Sequence, residues 1–168
     1  MDLRRQTCCF TGHRAFRHGE EEGVRALLEG HLRRLIEAEG VRFFGAGGAL
    51  GFDTLAERTV LSLKADYPHI RLILVLPCRD QDRLWRPEDR AVYAGLLARA
   101  DKVVYAAEAY HSGCMQRRNR RLVDGSAWCL CYQYKNTGGT AYTVDYALRR
   151  GLRVFNCLPC PPGQTVVN

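Results

Sequence analysis

The chain has 168 residues, of which 46% are hydrophobic and 26% charged, and a formal net charge of +7. That length suits one domain with a real core, and the balance excludes a disordered or fibrous protein. No stretch approaches 18 apolar residues, which excludes a membrane-spanning helix. The basic side is almost wholly arginine, 22 against 3 lysines, which suits planar, bidentate recognition of phosphate or carboxylate.

The elements follow in chain order. MDLRRQ leaves no room for a signal peptide before the first strand, 7–10, so the expected compartment is the cytoplasm. Val24, Leu27, Leu28, Leu32, Leu35 and Ile36 then mark one helical stripe, broken by His31 where the next apolar residue would fall. A strand at 41–45 (VRFFG) follows, then a second helical stripe at Leu55, Ala56, Thr59, Val60 and Leu63. Beyond these come strands at 70–76, 102–107, 127–132 and 152–155, and helices at 88–99, 113–124 and 140–150. Six strands alternating with five helices predict a doubly wound α/β fold: a mainly parallel sheet with helices on both faces. No repeat or linker divides the chain. It reads as one domain, 1–168, with a core of about 7–156 and a short Pro/Gly-containing tail at 157–168.

Eight cysteines read as reduced, buried hydrophobes, because they sit in apolar runs. Only Cys157-Leu-Pro-Cys160 has CxxC spacing, and without a second pair it predicts no zinc site. No cofactor and no metal are required by any motif.

In open parallel sheets, ligands bind beyond the carboxyl ends of the strands, and the unusual residues of this chain follow strands. TGHR (11–14) follows the first, GAGGALGFD (45–53) the second, PCRDQ the third, and NTGGT the fifth. Thr11, Gly12, His13 and Arg14 are therefore candidates to face a shared crevice. Gly47, Gly48 and Gly51 allow close backbone approach to a ligand, and the helix that follows supplies partial positive charge. Asp53 would repel a phosphate there and suits ribose hydroxyls better. The competing reading of this stretch is a tight turn closed by Thr54-Leu55-Ala56-Glu57 as a capping box. Gly138, Gly139 and Thr140 open the last helix in the same way as the first glycine loop.

On a helical wheel, Arg118 and Asn119 share the inward side with Met115, Leu122 and Val123, while Arg117, Arg120 and Arg121 point outward. An arginine on a buried stripe needs a partner or a function, since an unpaired buried charge costs several kcal/mol. Gln81, Trp85 and Tyr93 read either as a stacking wall or as core.

TCCFTGHR, GGALGFD, MQRRNRRLVDGS and GGTAYTVDYA, in this order over residues 7 to 156, resemble the YpsA-like family of the SLOG superfamily. The resemblance implies a Rossmann-like fold and binding of a nucleotide or nucleotide-derived ligand of the NAD, ADP-ribose or nucleoside monophosphate class. It fits a sensor or regulatory protein. LOG enzymes of the superfamily cut the N-glycosidic bond of nucleoside monophosphates with an arginine and a glutamate. Arg118 matches that arginine, with Asn119 in place of the following lysine. Asp145 stands where the glutamate would be, and Thr137, Ala141 and Tyr142 depart from the glycine motif. A phosphoribohydrolase using Arg118 and Asp145 is thus a second reading. The superfamily resembled also includes DNA-processing (Smf/DprA) proteins, and with the charge this makes single-stranded nucleic-acid binding a third reading. Oligomeric state, monomer or homo-oligomer, stays open.

Overall fold

The computed structural model describes residues 2–160. A short 3-10 turn, Leu3–Gln6, leads into β1 (Thr7–Gly12). Then follow α1 (Glu21–Glu39), β2 (Phe43–Ala46), α2 (Phe52–Leu63), β3 (Arg71–Leu76), α3 (Pro87–Arg99) and β4 (Lys102–Tyr105). The chain continues through α4 (Cys114–Asp124), β5 (Trp128–Tyr132), α5 (Gly139–Arg149) and β6 (Arg153–Asn156). Every element expected from periodicity is present, with small shifts at the boundaries. No helix among the described residues is long and apolar enough to cross a membrane.

The six strands form one sheet in the order β4-β3-β2-β1-β5-β6, and every pairing is parallel. The sheet is therefore wholly parallel, the Rossmann-like doubly wound arrangement. Chain direction across the sheet reverses between β1 and β5, where Cys8 aligns with Trp128 and Gly12 with Tyr132. A crevice opens at such a reversal because the loops from the two strands leave toward opposite faces.

Both faces are covered, so β5 is buried along its whole length rather than alternating. On one face Cys8, Phe10 and Phe44 pack with Leu28, Leu32, Phe52 and Val60 of α1 and α2. On the other, Cys9 and Cys129 pack with Leu122 and Val123 of α4 and Ala147 of α5. Alternation of Cys8 and Cys9 between the faces follows from the period of two along a strand.

His31 interrupts the α1 stripe because it packs on Phe155, with ring centroids 5.2 Å apart. Leu27 departs from its expected place in that stripe and is exposed. All eight cysteines are free; seven are buried and Cys160 is exposed. Burial pushes the Cys131 and Cys157 thiols up to about 12, which keeps them uncharged and poorly nucleophilic. Among the described residues no group of three or more His, Cys, Asp or Glu side chains is placed to hold a metal ion.

Candidate functional site

The loop after β1 is fastened to its neighbours by backbone bonds. His13 N–H donates to the Tyr132 carbonyl at 3.2 Å, and the His13 carbonyl accepts from Phe52 N–H at 3.2 Å. The His13 ring takes part as well: its Nε2 accepts from Tyr134 N–H at 3.0 Å. Burial, and then Lys135, lower the His13 pKa, so the neutral ring that this bond requires is favoured. Gly12 is needed for close packing, since a Cβ there would lie 2.5 Å from Phe52. His13 thus joins the ends of β1 and β5 to the start of α2.

The first glycine loop does not offer its N–H groups to a ligand, as close backbone approach there would require. Gly47 and Ala49 N–H groups donate to Asp53 Oδ2 at 3.2 and 3.3 Å, and Gly48 N–H donates to Glu57 Oε1 at 3.0 Å. These donors are spent inside the protein. Asp53 and Glu57 lie one helical turn apart on α2, so both carboxyls reach back over the loop. Glu57 closes no capping box either, because the N-cap of α2 is Gly51, which has no side chain to cap with, and Thr54 Oγ1 donates to the Ala49 carbonyl. Gln81 supports the loop from the other side, its amide donating to the Gly47 and Gly48 carbonyls at 3.4 Å each and to Tyr93 Oη at 2.9 Å.

Arg118 is 5% exposed and lies against this loop. Its Nη1 donates to the Gly47 carbonyl, its Nε donates to Asn119 Oδ1 at 2.7 Å, and its Nη2 reaches the Met115 sulfur at 3.7 Å. No carboxylate lies within ion-pair distance of it among the described residues. Burial lowers its pKa, the Asp53 carboxylate opposes that, and the nearby Arg14 guanidinium adds to the lowering. Conversely, burial raises Asp53 while Arg118 pulls it down. Glu57 is raised well above its ordinary value by burial and then by Asp53. The arrangement is a buried cation facing a second cation, with one carboxylate in the field behind it.

A cleft of about 450 Å³ opens beside Arg118 at the β1/β5 reversal. Thr11, Gly12, His13, Arg14, Asp53, Arg118, Asn119, Gly138, Gly139 and Thr140 all line it. Gly138 takes φ +91°, a conformation natural to glycine, and no side chain caps α5, so its first N–H groups open on the cleft. The two glycine loops therefore differ: the donors of the first are occupied, and those at the start of α5 have no partner among the described residues. Lys135 also lines the cleft; its place just after β5, at a strand end, is the signal for it in the sequence.

Three expected residues sit beside the cleft instead. Gly47 and Gly48 lie behind Arg118. Gly51, at φ +79°, lies under Arg14, where a Cβ would meet the Arg14 carbonyl oxygen at 2.2 Å. Asp145 lines a separate depression with Tyr142 and Leu148 and pairs with Arg149 at 3.0 Å, its side chain two-thirds exposed (67%). Gln81 and Tyr93 are buried, whereas Trp85 is half-buried with its ring edge-to-face on Tyr93.

Known proteins share this architecture. The Streptococcus pneumoniae DNA processing protein A structure matches with a TM-score of 0.67 at 20% identity, covering 92% of this chain and 51% of that one. This chain thus spans about half of that protein. The Helicobacter pylori DNA processing protein A, whose structure is described as showing a single-stranded DNA binding mode, matches with a TM-score of 0.65 at 18% identity, covering 96% and 69%. At such identities the likeness establishes the fold. Among sequences, a UPF0398 protein of Halalkalibacterium halodurans is 32% identical over 130 residues, 76% of this chain and 68% of that protein. The SPbeta prophage-derived protein YoqJ of Bacillus subtilis is 29% identical over 128 residues, 69% and 75% of the two chains. Residues 8–153 match the model of the YspA SLOG family (YpsA), and the chain belongs to that family.

Proposed function

We propose that the β1/β5 cleft binds a phosphate-bearing nucleotide derivative. The observation that carries this reading is Arg118: a buried guanidinium without an ion-pair partner among the described residues, lining one cleft with the start of α5. Burying a cation in this way is unfavourable, and an anion placed between it and the free N–H groups at 138–140 relieves the cost. Arg14 and Lys135 at the mouth add to the field. The Thr11 and Thr140 hydroxyls, each in a residue 8% exposed, stand beside the same space and suit phosphate or sugar oxygens. Asp53 lines the same cleft and is the acceptor we assign to ribose hydroxyls, its Oδ2 holding the loop.

Hydrolysis gains no support from the geometry. Asp145, the carboxylate that a phosphoribohydrolase would use, opens on a different depression from Arg118. Single-stranded nucleic acid is a second reading, favoured by arginines lying over aromatic rings along the sheet edge: Arg79 over Tyr105 at 4.2 Å, Arg83 over Tyr110 at 4.9 Å and Arg17 over Tyr134 at 4.9 Å. Arginine interleaved with aromatics is the pattern of a single-strand path. The structure of the H. pylori protein, described as showing a single-stranded DNA binding mode, is consistent with it. All three of these arginines are also paired with acids, Arg17 with Glu20, Arg79 with Glu108 and Arg83 with Asp80, which places this reading second.

The test is calorimetric titration of wild type and Arg118→Ala with AMP, ADP-ribose and NAD. A hydrogen bond to a charged group contributes about 1.5–3 kcal/mol, so the variant should bind roughly 10- to 150-fold more weakly. Equal binding by a folded Arg118→Ala protein would remove the reading.

A further inference from the structure

Beside the cleft lies a second depression of about 350 Å³ between α1, α2 and α3, and Arg14 lines both. The ridge between them is fixed. Phe52 N–H donates to the His13 carbonyl, and Gly51 lets the Arg14 backbone descend onto the start of α2. Arg14 makes no ion pair among the described residues, so its guanidinium at the crest is available to a ligand on either side.

The second depression has its own recognition groups. Arg58 projects into it from α2, exposed and likewise without an ion pair among the described residues. Arg25 enters from α1. Trp85 and Phe16 supply aromatic surface, and the Trp85 ring is held edge-to-face on Tyr93 at 5.1 Å. Two acids also line the space, but Glu21 is paired with Arg25 at 3.5 Å and Asp89 with Arg86 at 3.9 Å. That leaves Arg14 and Arg58 as uncompensated cations flanking an aromatic wall.

We infer that the two depressions form one extended site for a ligand of two nucleoside units joined through phosphate, the second unit lying by Trp85 and Arg58. The inference rests on the nucleotide reading of the main cleft. One end of the ligand sits against Arg118 and the start of α5, the bridging phosphate crosses beneath Arg14, and the second base packs on Trp85. Base stacking and a cation near the linkage are the general means of holding such a unit. Two chemical sources fit: a pyrophosphate-linked dinucleotide, or two adjacent residues of a single strand linked by a phosphodiester.

The experiment titrates the full chain with AMP, NAD and the 5'-phosphorylated dinucleotide pApA, in wild type, Arg118→Ala, Arg58→Ala and Trp85→Phe. Wild type is expected to bind NAD or pApA at least roughly tenfold tighter than AMP, the order of one stacked base. Arg58→Ala should remove most of that advantage and leave AMP unchanged; its side chain is exposed, so the fold is not at stake. Trp85→Phe should remove a smaller part. Preference between NAD and pApA identifies the linkage. If all three ligands bind alike in wild type, or Arg58→Ala weakens AMP as much as the two-unit ligand, or neither variant has any effect, the extended site is wrong. Failure of the main cleft looks different, because Arg118→Ala would then leave every ligand unaffected or no ligand would bind at all.

Discussion

Glu57→Gln isolates the chemistry of the carboxyls behind the glycine loop. Glu57 is 1% exposed and accepts from Gly48 N–H, an acceptor role that a glutamine carbonyl can keep in nearly the same volume. Burial, and then the neighbouring Asp53, raise its pKa well above the ordinary 4.5. The native chain therefore holds this proton where the unfolded chain has lost it. Its contribution to stability is complete below about pH 4.5 and declines as pH rises through the native pKa. For one proton the decline reaches about 1.4 kcal/mol per pH unit. His13 and His31, both lowered chiefly by burial, act the opposite way and add stability as pH rises toward 6.5. The informative quantity is thus the difference between variant and wild type, in which the histidines cancel. Urea unfolding at pH 5, 6, 7 and 8 should show Glu57→Gln gaining on wild type across the window, by up to about 1.4 kcal/mol per unit. A pH-independent difference would mean that Glu57 ionises as freely in the native state as in the unfolded one, and the account of a proton-holding carboxyl would fail.

Two glycine substitutions should have opposite signs. Gly51→Ala forces a Cβ against the Arg14 carbonyl at φ +79° and should cost at least about 2 kcal/mol in denaturant unfolding, weakening nucleotide binding by displacing Arg14. Gly30→Ala, in α1 with no atom within 4 Å of the new Cβ, should raise stability by roughly 0.5–1 kcal/mol; a loss there would contradict the exposed placement of that position. For the single-strand reading, oligonucleotide affinity should fall steeply and linearly with log salt. A flat dependence would leave the arginine–tyrosine pairs as surface packing.

Much of the fold is local and was therefore legible. Periodicity located six strands and five helices because side-chain spacing on each element is set by its own backbone geometry. The strand-end rule placed Thr11 to Arg14 and Gly138 to Thr140 on one edge, and the helical wheel placed Arg118 inward and Arg117, Arg120 and Arg121 outward. The sheet order and the point where it reverses were not legible, because strand pairing joins residues over a hundred positions apart, as Cys9 with Cys129.

The same limit governed the glycine loop. GAGGALGFD suggests donors awaiting a ligand, and only the folded chain shows Asp53 and Glu57 taking them. Their spacing on α2 could be counted, but a hydrogen bond depends on where the loop returns relative to the helix, and that is set by packing against Gln81 and Arg118, distant in sequence. Sequence alone determined which residues gather at the sheet edge. Tertiary structure decided which of them are already satisfied, because a polar group is free for a ligand only when nothing else in the fold has reached it first.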